Sequence, residues 1–352
     1  MPRPRLRDLG IVIGRLPPGR HNAITDVPGV RVGHSTVLAE RPACSRSGVT
    51  VVLPTADPPY ATQVFAGFER FNGFGEMTGV HWVAESGLLA SPIAITSTYS
   101  VGVMRDALIQ DRFAHAPLAA GVQPLVAETS DAWLSDGSHP QVTAAHLHEA
   151  IAAADGGPVA EGNVGGGTGM ICHELKGGIG TASRRAETPS GGYLVGALVQ
   201  ANYGRRVDLT IAGVPVGRSL GRDVVPLPRE EDGSIIIIVA TDAPLVPAQC
   251  ARLAKRATVG LGRVGGTGAN GSGDLFLAFS TGNRIPSQPE RPVEGIRMLP
   301  NAHMTSLFTA VAEAVEEAIA NALCAAESMT GQLGRVVHAL PLDRLVELCR
   351  RG

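Results

Sequence analysis

Asp232-Gly233-Ser234-Ile235-Ile236-Ile237-Ile238-Val239-Ala240-Thr241-Asp242 decides the fold class. Six apolar residues follow Ser234 without polar alternation, the pattern of a strand buried on both faces. Upstream, residues 218–233 are polar and turn-rich, with Pro226, Pro228 and the acidic run Glu230-Glu231-Asp232. Ser234 therefore stands where an exposed loop meets a core strand. An Asp-Gly turn before a strand accounts for that much alone. The sharper reading is that the Gly233–Ser234 bond is cut and Ser234 becomes a new N-terminus.

Working outward, apolar runs predict strands over 48–53, 93–96, 193–202, 207–216 and 274–281. Residues 1–35 read as short strands and turns around Ile11-Val12-Ile13 and Val30-Arg31-Val32. Helical spacing predicts helices over 101–109, 143–154 (opened by a threonine N-cap), 245–257, 302–329 and 342–350. On the long helix, Leu307, Ala310, Val311, Ala314, Val315 and Ala318 form one stripe, and Glu313, Glu316 and Glu317 lie off it. No linker divides the chain, so residues 1–352 read as a single catalytic domain. Helices mixed with adjacent buried strands favour a layered α+β architecture over a strict βαβ alternation.

Composition excludes several function classes. Apolar residues make up 44% of the chain, enough for a sizeable core. The net charge of −2 is scattered, with no basic stripe, and aromatics are few, so no nucleic-acid partner is expected. The five cysteines are widely spaced without a C-x-x-C, which fits a reducing compartment, so a cytoplasmic location is expected. No signal peptide and no run of eighteen apolar residues is seen, so no membrane partner is expected.

Three motifs compete. Residues 260–265 match G-x-G-x-x-G but lack the strand before and the helix after, and 165–169 lack a P-loop ending. Gly217-Arg218-Ser219-Leu220-Gly221 matches the nucleophile elbow, yet Pro226 and Pro228 follow where a helix should. Ser272 and Asp274, two apart at a strand start, share a face and suit one polar pocket. Glu128-Thr129-Ser130-Asp131-Ala132-Trp133 is a polar stretch after a short apolar run, so Ser130 and Trp133 are candidate pocket residues. His146 and His148 face different sides of a helix, so a shared metal is not expected.

Together these stretches resemble one family. The pieces are Asn163 to Met170, Lys176 to Arg184, Val199 to Gly204, Gly233 to Ile237, Ala240 to Leu245, Ser272 to Thr281 and the opening Asn22 to His34, collinear over nearly the whole chain. The chain is similar to the self-processing L-aminopeptidase/D-Ala-esterase-amidase group, which includes the β-peptidyl aminopeptidases. The resemblance implies a four-layer αββα sandwich, shared with ornithine acetyltransferase. It implies self-cleavage before Ser234 into chains 1–233 and 234–352 that stay together, commonly as a homo-oligomer of processed heterodimers. Residue by residue, Ser234 matches the nucleophile, Ser272 and Asp274 the supporting pair, and Asn202 the oxyanion-stabilising asparagine. Some members carry a tyrosine where this chain has Ser130.

The chemistry stands beside the resemblance. A free α-amine on Ser234 supplies the base its own hydroxyl needs, because its pKa of about 8 falls toward neutrality on burial. Asn202, with N–H groups of the loop at Gly166 and Gly167, is expected to stabilise the oxyanion. Glu128 or Asp131 is expected to read a substrate ammonium. The expected activity is release of N-terminal residues from small peptides, amides or esters without metal or cofactor. An acyltransferase, or a non-catalytic member that binds a small molecule, is the alternative.

Overall fold

The computed structural model describes residues 3–115, 123–226 and 233–351. The acidic run before Gly233, with Pro228, lies outside them. In chain order the strands are β1 (Arg31–Ala39), β2 (Ser45–Leu53), β3 (Thr62–Gly73), β4 (Leu88–Leu89), β5 (Ile93–Ser97), β6 (Leu125–Thr129), β7 (Ile171–Cys172), β8 (Leu175–Lys176), β9 (Gly178–Thr188), β10 (Gly191–Asn202), β11 (Ser234–Thr241), β12 (Gly273–Pro286), β13 (Met329–Thr330) and β14 (Val336–Val337). The helices are α1 (Val80–Ser86), α2 (Val101–His115), α3 (Ala144–Ala152), α4 (Pro247–Ala254), α5 (Ala257–Val264), α6 (Thr305–Ala325) and α7 (Leu342–Arg351).

Two sheets carry the fold. One is four-stranded, in the order β1-β2-β5-β6, and the other is six-stranded, in the order β4-β3-β12-β11-β10-β9. Strand β11 shows why its sequence is continuously apolar. Ile235, Ile237 and Val239 pack with α4, α5 and α6. Ile236, Ile238 and Ala240 pack with Val52, Ile93 and Ile95 of the facing sheet. Both faces are dry, as period-2 side-chain alternation requires for a strand inside a stack. Met104 and Leu108 of α2 and Leu147 of α3 close the outer face of the four-stranded sheet. The result is the expected αββα sandwich.

Two pairings are parallel, β5 with β6 and β11 with β12. A parallel pair needs a long crossover. Helix α2 supplies one, and α4 with α5 the other. Helix α4 opens with Pro247 in its first turn, where a missing N–H is harmless.

The structure departs from the sequence reading in instructive places. Residues 207–216 are not a strand. Ala212 and Gly213 take left-handed φ values of 51° and 82°, and Ile211 bridges back to Val214. The apolar side chains Leu209, Ile211 and Val216 still reach the core from this tight turn. Ile11 to Ile13 forms no strand. Helix α2 runs past residue 109 to His115. The glutamates of α6 do not face solvent. Arg184 of β9, fully buried, donates to Glu317 at 2.5 Å and to Glu313 at 3.2 Å. Arg7 and Asn22 add bonds to Glu317 at 2.7 Å and 2.5 Å. Glu316 pairs with Arg263 at 3.2 Å.

This network ties the N-terminal segment and β9 to α6. Burial alone would raise Glu317, and the bonds from Arg7, Arg184 and Asn22 together hold it below the usual carboxylate range. Its stabilising share is therefore present at neutral pH and is lost as pH falls through the lowered value. Replacing Arg184 by Met strands two buried carboxylates. The expected loss is about 3–5 kcal/mol, read as a lower urea midpoint. An unchanged midpoint would show that the network is not holding the sandwich together.

Candidate active site

Strand polarity brings the candidate residues to one end of the six-stranded sheet. Ser234 is the first residue of β11 and lies opposite Asn202, the last of β10. Parallel pairing sets Ile235 against Asp274 of β12. The half-buried Ser234 hydroxyl accepts the Gly273 N–H at 2.9 Å, which leaves its own proton to be donated.

Behind it, Ser272 Oγ lies 2.8 Å from Asp274 Oδ2 and 2.8 Å from the Ala269 carbonyl, two acceptors for one proton. Asn72, at the end of β3, donates to Ser272 Oγ at 3.1 Å and to the Ser272 carbonyl at 2.6 Å. Burial pushes Asp274 up to about 6, against bonds from Ser272 and the Ile235 N–H that favour the charged form. Asp274 thus titrates close to neutrality beside a serine at a strand start, the kind of perturbation found at functional sites.

Asn202 is held at both ends of its amide. Its Oδ1 accepts the Ile171 N–H at 2.8 Å, and its Nδ2 donates to the Ser130 carbonyl at 3.1 Å. One N–H of that amide remains beyond this bond. Gly233 is pressed against the same residue. A Cβ at Gly233 would sit 1.7 Å from the Asn202 carbonyl oxygen, so no other residue fits without moving the backbone.

Glu128 also reaches the cluster. It accepts the Glu76 N–H at 2.9 Å and a hydrogen bond from the Thr98 hydroxyl. Its Oε1 lies 3.3 Å from where a Gly75 Cβ would be, and that position is 3.0 Å from the Gly273 Cα. Burial raises the Glu128 carboxyl above its ordinary value, and the Thr98 and Glu76 bonds oppose the rise. Phe74, beside Gly75, is 75% exposed.

Other candidates are placed elsewhere. Asp131 is buried among serines and accepts the Ser97 hydroxyl at 2.7 Å, so its carboxylate is committed to joining β5 to the turn after β6. Trp133 lies under Arg335, whose guanidinium is 4.2 Å from the ring centroid. The expectation that Gly166 and Gly167 supply oxyanion donors is corrected. Gly166 N–H donates to Thr50 Oγ1 at 3.2 Å and Gly167 N–H to the Val164 carbonyl at 2.9 Å. Their missing Cβ atoms make room for Ile95 and Ile179, so this glycine loop is a packing element.

The rejected motifs fall away for visible reasons. Gly260 and Gly262 lie inside α5, and Ser219 is exposed at the end of a 3-10 turn. His146 caps its own helix, its Nδ1 accepting the Thr143 N–H at 2.9 Å. Among the described residues no group of three or more His, Cys, Asp and Glu is arranged to hold a metal, and no helix is long and apolar enough to cross a membrane. A cavity of about 400 Å3 opens at the cluster, lined among others by Tyr203, Gly233, Ser272 and Asp274. Ser272 and Asp274 line this cavity, and Ser234, Asn202 and Glu128 are not among its lining residues. A hydroxyl, a titratable carboxyl and an amide donor at one sheet end are components of acyl transfer.

Comparison with known proteins agrees with that chemistry. The model of peptidase family S58 matches residues 22–337. The β-peptidyl aminopeptidase BapA of Sphingosinicella microcystinivorans is 44% identical over 367 residues, covering 99% of this chain and 92% of that protein. A Burkholderia sp. β-aminopeptidase superposes with a TM-score of 0.94 at 52% identity, over 99% of each chain. The L-aminopeptidase D-Ala-esterase/amidase of Ochrobactrum anthropi, described as a prototype for the serine aminopeptidases and a new variant of the Ntn hydrolase fold, superposes with a TM-score of 0.91 at 42% identity, again over 99% of each. The chain belongs to peptidase family S58 and is an aminopeptidase/amidase of the N-terminal-nucleophile type.

Proposed function

We propose that the chain cuts itself between Gly233 and Ser234 and that Ser234 then works as an N-terminal nucleophile. The observation that carries this reading is the Ser234 hydroxyl at the head of β11, 2.9 Å from the Gly273 N–H and beside the Ser272–Asp274 pair. In the uncut chain the hydroxyl attacks the Gly233 carbonyl. The peptide bond becomes an ester, and water releases chains 1–233 and 234–352. In the cut enzyme, the α-amine of Ser234 takes the hydroxyl proton as Oγ attacks the substrate carbonyl. The same proton then goes to the departing amine, and water hydrolyses the acyl-enzyme.

Roles follow from position. Asn202 offers its remaining N–H to the oxyanion. Ser272 and Asp274 hold the α-amine and exchange protons with it. Glu128 reads the substrate ammonium, since each carboxylate oxygen has a lone pair beyond the bonds it accepts. Small peptides, amides or esters are the substrates. The 52% identity to a protein named β-aminopeptidase, against 42% for one named L-aminopeptidase, makes β-amino-acyl amides the first to test. Free thiols at all five cysteines support the cytoplasm as the site of action. Assembly of the cut heterodimers into a homo-oligomer is part of the proposal and is supported by the resemblance alone.

Intact mass of the purified protein is expected to show two chains divided before Ser234, and Ser234→Ala a single inactive one. An uncut preparation that turns over substrate would sink the proposal. Asp274 gives a pH signature. Its folded value is raised, so its neutral form stabilises the fold, and that contribution is lost as pH rises through about 6. In the uncut Ser234→Ala background Asp274→Asn is expected to gain melting temperature between about pH 4 and pH 8, and in the self-cleaving chain its turnover falls. A melting difference that shrinks with pH would refute the assignment. Glu128→Gln is expected to raise KM about tenfold or more for free-amine substrates with a smaller effect on kcat. Equal effects on an N-acetylated ester would show that Glu128 does not read the amine.

A further inference from the structure

A second cavity, of about 630 Å3, opens at the opposite end of the strands that build the site, within the range of small-molecule pockets. It lies where β3 begins, where β12 has ended and where β6 starts. Val83, Leu89 and Leu125 floor it, all nearly inaccessible to water, and Trp82, 49% exposed, forms a wall. Among the described residues Arg112 of α2 is the one cation in its lining, and none of those lining it is a carboxylate.

Arg112 is held but not neutralised. Its guanidinium sits 4.9 Å from the centroid of the Tyr60 ring and donates only to the Tyr60 carbonyl, at 3.3 Å. Asp111 does not pair with it, because the Tyr60 phenol binds that carboxylate at 2.7 Å. Among the described residues no carboxylate forms an ion pair with Arg112, and Arg112 lines the cavity. Tyr60 itself is a non-glycine residue at a φ of 62°, a strained conformation that persists only when its surroundings enforce it. The Asp111 bond and a 2.6 Å bond from Ser287 to the Tyr60 carbonyl enforce it here. A place in the last turn of α2 explains a cation but not this strained support beneath it.

The geometry points to a binding site for a small organic anion, a carboxylate carried on an apolar or aromatic body. The guanidinium fork takes the carboxylate in bidentate fashion, and the floor and Trp82 take the body. With no carboxylate in the lining, a substrate or product amino acid leaves its ammonium uncompensated, so this cavity does not duplicate the catalytic site. It is not isolated from that site either. Leu125 lines the cavity and Glu128 lies farther along the same β6, while Gly79 lines the cavity at the end of the segment whose Glu76 N–H binds Glu128.

Titration of the full chain with 3-phenylpropionate tests this, by calorimetry and by Trp fluorescence. Saturable binding is expected, with the fluorescence change lost in Trp82→Phe. The amide 3-phenylpropanamide is expected to bind about tenfold more weakly or worse, and phenethylamine not at all. Arg112→Gln is expected to weaken the carboxylate by a similar factor, and Arg112→Lys, which keeps the charge without the planar fork, to fall between. Absence of saturable binding, equal binding of the amine, or an affinity unaltered in Arg112→Gln would overturn the proposal. Should Arg112→Gln fail to fold, the three ligands on the unaltered protein decide it.

Discussion

The parallel pairing of β11 with β12 is the constraint on which the site depends. Two antiparallel neighbours would place the start of one strand beside the end of the other. A parallel pair places two strand starts side by side, at the price of a helical crossover through α4 and α5. Here the two starts carry Ser234 and the Ser272–Gly273–Asp274 turn-in, so these residues meet although about forty residues of chain separate them. The antiparallel neighbours then do the reverse. Strands β10 and β3 deliver Asn202, the last residue of one, and Asn72, the last but one of the other, to the same end. The dry run Ile235–Val239, gripped on both faces, fixes the register. A slip of one residue would turn Ser234 to the other face of the sheet.

Three buried carboxylates in this molecule, Glu317, Glu128 and Asp274, differ in what meets them. Glu317 is met by Arg7, Arg184 and Asn22 and is held below its ordinary value. Glu128 and Asp274 are met only by neutral donors, and burial wins, so both are raised. Hydrogen bonds from hydroxyls and backbone amides orient these two groups without supplying a full positive charge. A carboxylate left short of a cation attracts one from outside. In the proposed mechanism that complement is the ammonium of a substrate for Glu128, and for Asp274 the α-amine that cleavage at Ser234 would create.

How legible this was depended on whether a signal was local. The unbroken apolar run after Ser234 declared a doubly buried strand, and Ser272 with Asp274 declared a shared face. Strand β9 was hidden by Ser183, Arg184 and Arg185, because nothing near them in sequence shows that Glu313 and Glu317 will neutralise the buried arginine. For the same reason the α6 glutamates read only as lying off the apolar stripe, with no sign of a buried partner. Residues 207–216 had the composition of a strand, but the left-handed pair Ala212-Gly213 folds them into a turn. Asn72 gave no signal at all. Its Asn-Gly ending reads as a turn, and its value lies in backbone carbonyls of a loop roughly two hundred residues away in the chain. The glycine loop misled in the opposite direction, since close packing and anion cradling demand the same residue.

Gly233 links the two reactions of the proposed mechanism. It lines the 400 Å3 cavity together with Ser272 and Asp274, and its backbone lies hard against the Asn202 carbonyl. The chain on the N-terminal side of Ser234 therefore occupies part of the space that an acyl substrate needs. An uncut chain is its own first substrate and also its own plug. A side chain at position 233 would push the scissile carbonyl away from Asn202, whose amide is already fixed by Ile171 and Ser130. Glycine is thus demanded by the close approach of two backbones, at Gly233 and at the Asn202 carbonyl. On this reading cleavage does two things in one step: it frees the amine that serves as base, and it vacates the place where the substrate carbonyl must lie.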